Sequence, residues 1–215
     1  MDNLRRHRFE IILMALVILL LTPLLATIFS VDVRYVNLFA LSLLSFASLI
    51  LAVRKTPRII SATLSLTTFG LVWAEFLFLE NQLLSSFRMW SMLFMYISLS
   101  YILIRNFIDV KEVELSVISG AVSAFVLIGV MGGTLFELLH HYVEGSILLS
   151  PQAGGYDFYY YSFISLMTVG YGDIVPLTGA AKSLTIVIGL AGQLYLAIGI
   201  AIFVGKHLNS TLKSS

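Results

Sequence analysis

The sequence predicts an all-α membrane protein with six transmembrane helices and, between the last two, a re-entrant half-helix followed by an extended return loop. Three observations carry that expectation. Hydrophobic residues make up 59% of the 215 and charged residues 12%, where a soluble domain carries about 25% charge. Apolar stretches long enough to cross a bilayer, about 20 residues in a helix, recur near 9–29, 35–53, 59–79, 87–104, 113–140 and 178–205. The last two flank "HYVEGSILLSPQAGGYDFYYYSFISLMTVGYGDIVPLTG", which is too polar and glycine-punctuated to span, yet holds a short apolar run from Phe158 to Met167.

The first stretch, "FEIILMALVILLLTPLLATIF" after "RRHR", is too long for a secretory signal and lacks a small-residue cleavage site, so a retained span is predicted. The segments "SVDVR" and "RKTPR" that follow the first two spans leave no room for a soluble domain. Glu75 falls in the third span, about one helical turn from its outer end near Leu79. A carboxylate inside a membrane is a functional candidate by default, but pairing with Arg88, or snorkelling, is the simpler reading. Trp73 and Trp90 are expected to be membrane anchors. The fourth span holds only Arg88 and Arg105, one at each end. In the re-entrant segment, non-helical backbone at membrane depth is tolerated only where it is buried in protein or lines water. Asp157 is expected at the N-cap of the half-helix, whose negative dipole end would then lie near Met167. Gly189, Gly192 and Gly199 in the last span suit close helix packing.

The basic residues give orientation. With six spans and both termini cytoplasmic, Arg5, Arg6, Arg8, Arg54, Lys55, Arg58, Arg105, Lys111, Lys206 and Lys213 fall inside, and Arg34, Arg88 and Lys182 outside, ten against three. A multi-pass protein of the plasma membrane, with lipid as its surroundings, is the expectation, and the re-entrant loop enters from the outer face. Thirteen Lys and Arg against twelve Asp and Glu leave a net charge of +1, which excludes a broad basic surface for nucleic acid. The absence of cysteine excludes disulfides, thiolate zinc sites and cysteine nucleophiles. Glu137 and His140 form Glu-x-x-His, a spacing that puts two metal ligands on one helix face. Bundles that use it need a second such motif and further acids inside the membrane, and the sequence supplies neither, so no enzyme and no cofactor is predicted.

"TVGYGD", residues 168–173, is the informative stretch. A pore that passes a cation must replace its hydration shell with oxygens, and backbone carbonyls do so without fixed charge. TVGYG is the established signature of a K⁺ selectivity filter. Its residue types still have physical reasons. Aiming successive carbonyls at one axis requires positive φ at alternate positions, which Gly170 and Gly172 tolerate. Thr168 adds a hydroxyl at the inner end, and Tyr171 can anchor the loop outward by packing with a hydrogen-bonding tip. One loop supplies part of a ring, so a single motif per chain predicts a homotetramer, each chain with three further copies of itself as partners.

The run "YDFYYYSFISLMTVGYGDIVPLTGAAKSLTIVIGLAGQLYLAIGIAIFVG" resembles the pore module of the potassium channel family, with residues 113–207 corresponding to it. The resemblance implies a pore domain over 108–215, with outer helix 113–140, pore helix 158–167, filter 168–173 and inner helix 178–205. By count and topology alone, residues 1–107 resemble the four-helix peripheral domain of six-transmembrane channels, a voltage-sensor-like domain without the regular arginine ladder. The resemblance further implies that K⁺ sits at Thr168, Val169, Gly170 and Tyr171, that Gly172 closes the outer turn, and that Asp173 ties the filter mouth to Tyr160 or Tyr161. Glu137 would brace the pore loop. Gly192 falls where such channels often have an inner-helix hinge, and the apolar end around Ile200 and Phe203 is a candidate dewetting gate. Four positions depart from the family pattern: Met167 stands where a first threonine is common, Tyr160 and Tyr161 stand where tryptophans are frequent, and Ile164 stands where some members have a carboxylate.

The expected function is a passive K⁺-selective channel with potassium as the permeant species. A voltage sensor needs several charges that cross the field, each worth about 2.3 kcal/mol per 100 mV, so steep voltage gating is not expected. The tail "KHLNSTLKSS" has no room for a ligand-binding domain, so control by calcium or cyclic nucleotides would need a separate, unidentified regulatory subunit. A non-conducting regulatory or scaffold subunit is the main alternative, but for it an intact filter is superfluous. A weakly selective cation channel, the other alternative, usually shows a degraded filter.

Overall fold

The computed structural model describes residues 7–51, 55–78, 81–108, 115–149 and 154–214. Eight helices and one two-stranded ladder make up these residues: α1 Arg8–Leu20, α2 Thr22–Phe29, α3 Val33–Leu51, α4 Lys55–Leu77, α5 Gln82–Ile108, α6 Leu115–Tyr142, β1 Ile147–Leu148, α7 Gly155–Leu166, β2 Val175–Pro176 and α8 Gly179–Ser214. They divide into two compact units, one of residues 1–110 with 114–124, the other of 111–113 with 125–215. Arg5, Arg6, Arg54 and Lys111, used to orient the chain, lie outside the described residues, as do the side chains of Lys55, Arg58, Arg105, Lys206 and Lys213.

All six expected apolar stretches are helical, but the first is not one straight span. Among the described residues four helices are long and apolar enough to cross a membrane, within α4, α5, α6 and α8; α1 and α2 make a fifth only if taken together across a 65° bend. The bend has a covalent cause. Pro23 has no N–H to give the Leu19 carbonyl, and the Thr22 hydroxyl donates to that carbonyl instead at 3.0 Å, so the ladder breaks at Leu21. α2 then ends in a left-handed residue, Ser30 at φ 52°, and the Val31 N–H returns to the Ala26 carbonyl at 3.0 Å, closing the helix end as a Schellman turn does. The apolar part of α3, Val33–Leu49, falls short of the length required for a full span.

In the first unit α1 packs on α3, α3 on α4, and α4 on α5. The α3–α4 seam is polar where hydrocarbon might be expected. Ser45, Ser48, Ser61, Ser65 and Thr68 are all buried, and Ser48 and Ser65 hydrogen-bond directly across the seam. Hydroxyls of this kind bring helices close without relying on hydrophobic attraction, which lipid does not provide between helices. Beside the seam runs an aromatic row, Tyr35, Phe76, Trp73, Phe69 and Phe46, with neighbouring centroids 5.4 to 6.4 Å apart. Trp73 belongs to this row and donates its indole N–H to the Ser42 hydroxyl at 3.2 Å; it is a packing residue rather than a mere membrane anchor.

Glu75 and Arg88 pair across α4 and α5, Arg88 Nε to Glu75 Oε2, with side chains only 25% and 15% exposed. The Ser85 hydroxyl donates to Glu75 Oε1 at 2.7 Å. The carboxylate expected near the outer end of its span therefore has both oxygens engaged.

The core of the second unit is Phe136, Ile147, Phe158, Tyr161, Ile164 and Leu166 with their buried neighbours. α7 packs on α8, and β1 pairs antiparallel with β2, Ile147 opposite Pro176 and Leu148 opposite Val175. The Leu177 N–H extends that ladder to the Ser146 carbonyl at 2.9 Å. This short ladder ties the segment before α7 to the segment after residues 168–173.

Candidate functional site

The site begins with how α7 is seated. Gly129, Gly132 and Gly133, spaced so as to share one face of α6, leave the room. A Cβ on Gly129 would overlap the Phe163 ring, one on Gly132 the Ser162 hydroxyl, and one on Gly133 would lie 2.8 Å from the Tyr159 Cα. The fully buried Ser162 donates to the Gly129 carbonyl at 2.7 Å, and the Thr134 and Tyr159 hydroxyls meet at 3.2 Å. "GVMGG" carries the i, i+3, i+4 signal from which this groove could have been read in the sequence.

α7 starts three residues earlier than expected, at Gly155, with Gly154 as its N-cap. Asp157 is therefore not the cap. It occupies the third helical position, and its carboxylate accepts the Gly154 N–H at 2.7 Å, the acidic arm of a capping box. The Glu137 carboxylate oxygen lies 3.8 Å from where a Gly155 Cβ would be, which puts a negative charge by the positive end of α7. His140, one turn beyond Glu137, stacks on Phe158 with centroids 5.3 Å apart, and its Nδ1 is 3.5 Å from the Ser146 hydroxyl. Among the described residues no group of three metal-ligating side chains forms around this Glu-x-x-His pair.

The chain leaves α7 in a constrained turn. The N–H groups of Met167 and Thr168 donate to the carbonyls of Phe163 and Ser165 at 2.9 and 3.1 Å, and those of Val169 and Gly170 both donate to the Ile164 carbonyl at 2.8 and 3.2 Å. Thr168, Gly170 and Gly172 have positive φ, 57°, 53° and 81°, while Val169 and Tyr171 do not. The alternation expected of the two glycines thus begins one step earlier, at a threonine. For a β-branched residue that conformation is strained, and no residue type in the sequence announces it; only the period of two, carried back from Gly170, does. Among the described residues no hydrogen bond ends on the carbonyls of Thr168, Val169, Gly170 or Tyr171. The donors of this stretch are spent on α7 and its acceptors are left over.

Asp173 fixes the far end. The Tyr160 hydroxyl donates to Asp173 Oδ2 at 2.7 Å, while Tyr161 turns the other way and shares a 2.7 Å hydrogen bond with the Thr185 hydroxyl of α8. Of the two tyrosines offered as partners for Asp173, the first is the one. The hydrogen bond from Tyr160 holds the Asp173 carboxyl below its ordinary range, helped by backbone N–H groups, and the same bond pushes the Tyr160 phenol up to about 12.

α8 backs the inner end of the turn. Thr178 caps it, accepting the Ala181 N–H at 3.3 Å. Gly192 sits directly under the end of α7, where a Cβ would overlap the Leu166 carbonyl oxygen and lie 2.9 Å from Leu166 Cδ1. α8 continues through Gly192 as helix, so close packing accounts for this glycine. At Gly189 a Cβ would come no nearer than 3.6 Å, to the Ser165 carbonyl, and at Gly199 it would meet nothing within 4 Å. Ile200 and Phe203 lie on α8, and their side chains lie outside the described residues.

An α-helix cradled on two others, a turn with alternating φ and a row of unbonded carbonyls form the arrangement on which the comparisons with known proteins bear. A family model described as ion channel matches residues 123–206. Two-pore potassium channel 4 of Arabidopsis thaliana is 50% identical over 40 residues. Residues 123–206 thus resemble an ion channel, and a 40-residue stretch of the chain resembles a potassium channel. The aligned stretch covers 19% of this chain and 14% of that relative, so the chain matches only a small part of the relative's length. No solved structure matches the chain. Most of α6, all of α7, residues 168–173 and most of α8 fall inside the residues matched by the ion channel model, and α1 to α5 fall outside them.

Proposed function

We propose that this protein is a passive K⁺-selective channel in which four copies surround one axis, each lending residues 168–172 to a shared filter. The observation that carries the reading is the alternating φ of Thr168, Gly170 and Gly172 together with carbonyls that accept no hydrogen bond among the described residues. Such groups at membrane depth need either a partner or water, and a dehydrated cation supplies the partner. K⁺ would be held by the carbonyls of Thr168, Val169, Gly170 and Tyr171, with Gly172 closing the outer turn. Asp173, bonded to Tyr160, sets the mouth, and Glu137 steadies the start of α7. Four copies follow from the single occurrence of "TVGYGD" in the sequence.

In this reading the chain crosses the plasma membrane six times with both termini inside, α1 and α2 counting as one bent crossing and α3 as a short one. Gating falls to α8, with Gly192, Ile200 and Phe203 as the candidates. The Glu75–Arg88 pair supports a peripheral unit of low voltage sensitivity, because a guanidinium held by a carboxylate across two helices is not free to move through the field. An unidentified subunit would supply ligand control.

The test is flux from liposomes holding the purified protein, K⁺ against Na⁺, beside Gly170→Asp. Uptake of K⁺ and not of Na⁺, abolished by the substitution, is the expected result. Equal flux of both ions would refute selectivity, and a folded tetramer with no flux under any stimulus would favour the non-conducting alternative.

A further inference from the structure

We infer that Met167 forms, at the inner end of the filter, a ring of four thioethers that binds a soft monovalent cation, Ag⁺ or Cu⁺, and thereby blocks K⁺. The inference rests on the reading of residues 168–173 as a filter shared by four copies. Met167 is the residue immediately before Thr168, at the C-cap of α7, with its N–H already given to the Phe163 carbonyl. Its side chain is 48% exposed although it follows Leu166, which is fully buried against the rest of the unit. About half of the residue is thus left uncovered by the described residues of its own chain.

Chemistry separates the two ions. The filter offers carbonyl and hydroxyl oxygens, hard donors suited to K⁺, whereas thioether sulfur selects soft cations such as Cu⁺. The negative end of α7 points at the same region and favours any cation there. K⁺ gains little from sulfur and passes; a soft ion gains several sulfur ligands at once and stays. Met side chains have three rotatable bonds, so four of them can close on an ion without moving the backbone. The step is coordination alone, with no electron transferred. The sequence contains no cysteine, so no thiol competes for the metal. Among the described residues Met14 and Met167 are the two exposed methionines, which makes Met14 the natural control.

The experiment titrates Ag⁺ in nitrate buffer against K⁺ flux of the full chain, Met167→Leu and Met14→Leu, each normalised to its own silver-free flux. In parallel, ¹³C-methyl methionine spectra of the same proteins are recorded in nanodiscs. Wild type and Met14→Leu should be blocked alike, Met167→Leu should need about tenfold more silver or beyond, and the methyl resonance missing from Met167→Leu should be the first to shift. Block of Met167→Leu at the wild-type silver concentration, or a Met167 methyl unmoved where block is complete, would overturn the inference. If the wild type shows no flux without silver, the channel reading fails by itself and the spectra decide: one Ag⁺ per four chains at Met167 upholds the ring, one per chain or none refutes it.

Discussion

Gly192→Ala separates packing from bending on the last helix. A methyl added there has to occupy space held by the Leu166 carbonyl oxygen, with the carbonyl carbon 3.1 Å away. The obstacle is backbone at the end of α7, so it cannot swing aside as a side-chain tip would. Two terms oppose one another. Alanine favours helix over glycine by about 1 kcal/mol, and overpacking a close contact costs typically about 1–3 kcal/mol. Because the clash is with backbone next to the Ile164 and Ser165 carbonyls that hold residues 168–170, the upper part of that range is expected, leaving a net loss of about 1–2 kcal/mol. Gly199→Ala has the same propensity gain and no contact within 4 Å in its own chain, so it should be neutral or stabilising. Thermal and denaturant unfolding of the purified protein, followed by circular dichroism, would place the two variants on opposite sides of wild type. Equal stability of the two would refute the packing argument and return Gly192 to the role of a hinge.

Two further perturbations follow from the pairs at the edges of the two units. Glu75→Gln leaves Arg88, only 15% exposed, without its counter-charge, and should destabilise the peripheral helices by on the order of 1–3 kcal/mol in the same unfolding assay. Adding Arg88→Met should recover part of the loss, and a double variant worse than the sum of the singles would contradict the pairing. At the mouth of the proposed filter the Asp173 carboxyl is held low, so its ionised, hydrogen-bonded form is present above the ordinary carboxylate range and is lost only as pH falls through the lowered value. The Tyr160 phenol is pushed up to about 12, so its donor is intact below the usual phenol range of about 10 and is lost as pH rises from there through about 12. K⁺ flux should accordingly be flat across neutral pH and fall at both extremes, and Tyr160→Phe should remove the alkaline limb while weakening flux at all pH values. An unchanged alkaline limb in that variant would detach Tyr160 from the filter.

Much of this was legible in the sequence because hydrocarbon imposes simple rules. Six apolar stretches appear as helices because a chain in lipid must satisfy its backbone internally, and "TVGYGD" stands out because two glycines and a carboxylate have no other reason to interrupt such a chain. What was not legible depended on contacts between segments distant in sequence. The first stretch read as one span, yet Pro23 leaves the Leu19 carbonyl to the Thr22 hydroxyl and the helix bends there. Asp157 read as a cap from its residue type, yet Gly154 takes that place because an acid three residues into a helix serves the first N–H equally well. The ladder of Ile147 and Leu148 with Val175 and Pro176 has no pattern of its own, since two-residue strands carry no periodicity. Tyr160 and Tyr161 were interchangeable by type, and only their directions on α7, one toward Asp173 and one toward Thr185, tell them apart.

The strained threonine connects these levels. Holding a β-branched residue at φ 57° costs on the order of 1–3 kcal/mol, so surrounding structure must enforce it. The restraint is visible on both sides: before it, the carbonyls of Ile164 and Ser165 seize the N–H groups of Thr168, Val169 and Gly170; after it, Tyr160 fixes Asp173. Neither restraint works unless α7 is itself immobile, which is the role of the glycine groove on α6, the Ser162 hydroxyl on Gly129, and the close passage of α8 under Leu166. The turn is thus clamped from behind while at its front Tyr171 is 74% exposed and, among the described residues, the carbonyls accept no hydrogen bond. A single copy therefore defines the geometry of the carbonyl row without completing its coordination, and the proposed fourfold assembly supplies what one copy lacks: the other three sides of the ion.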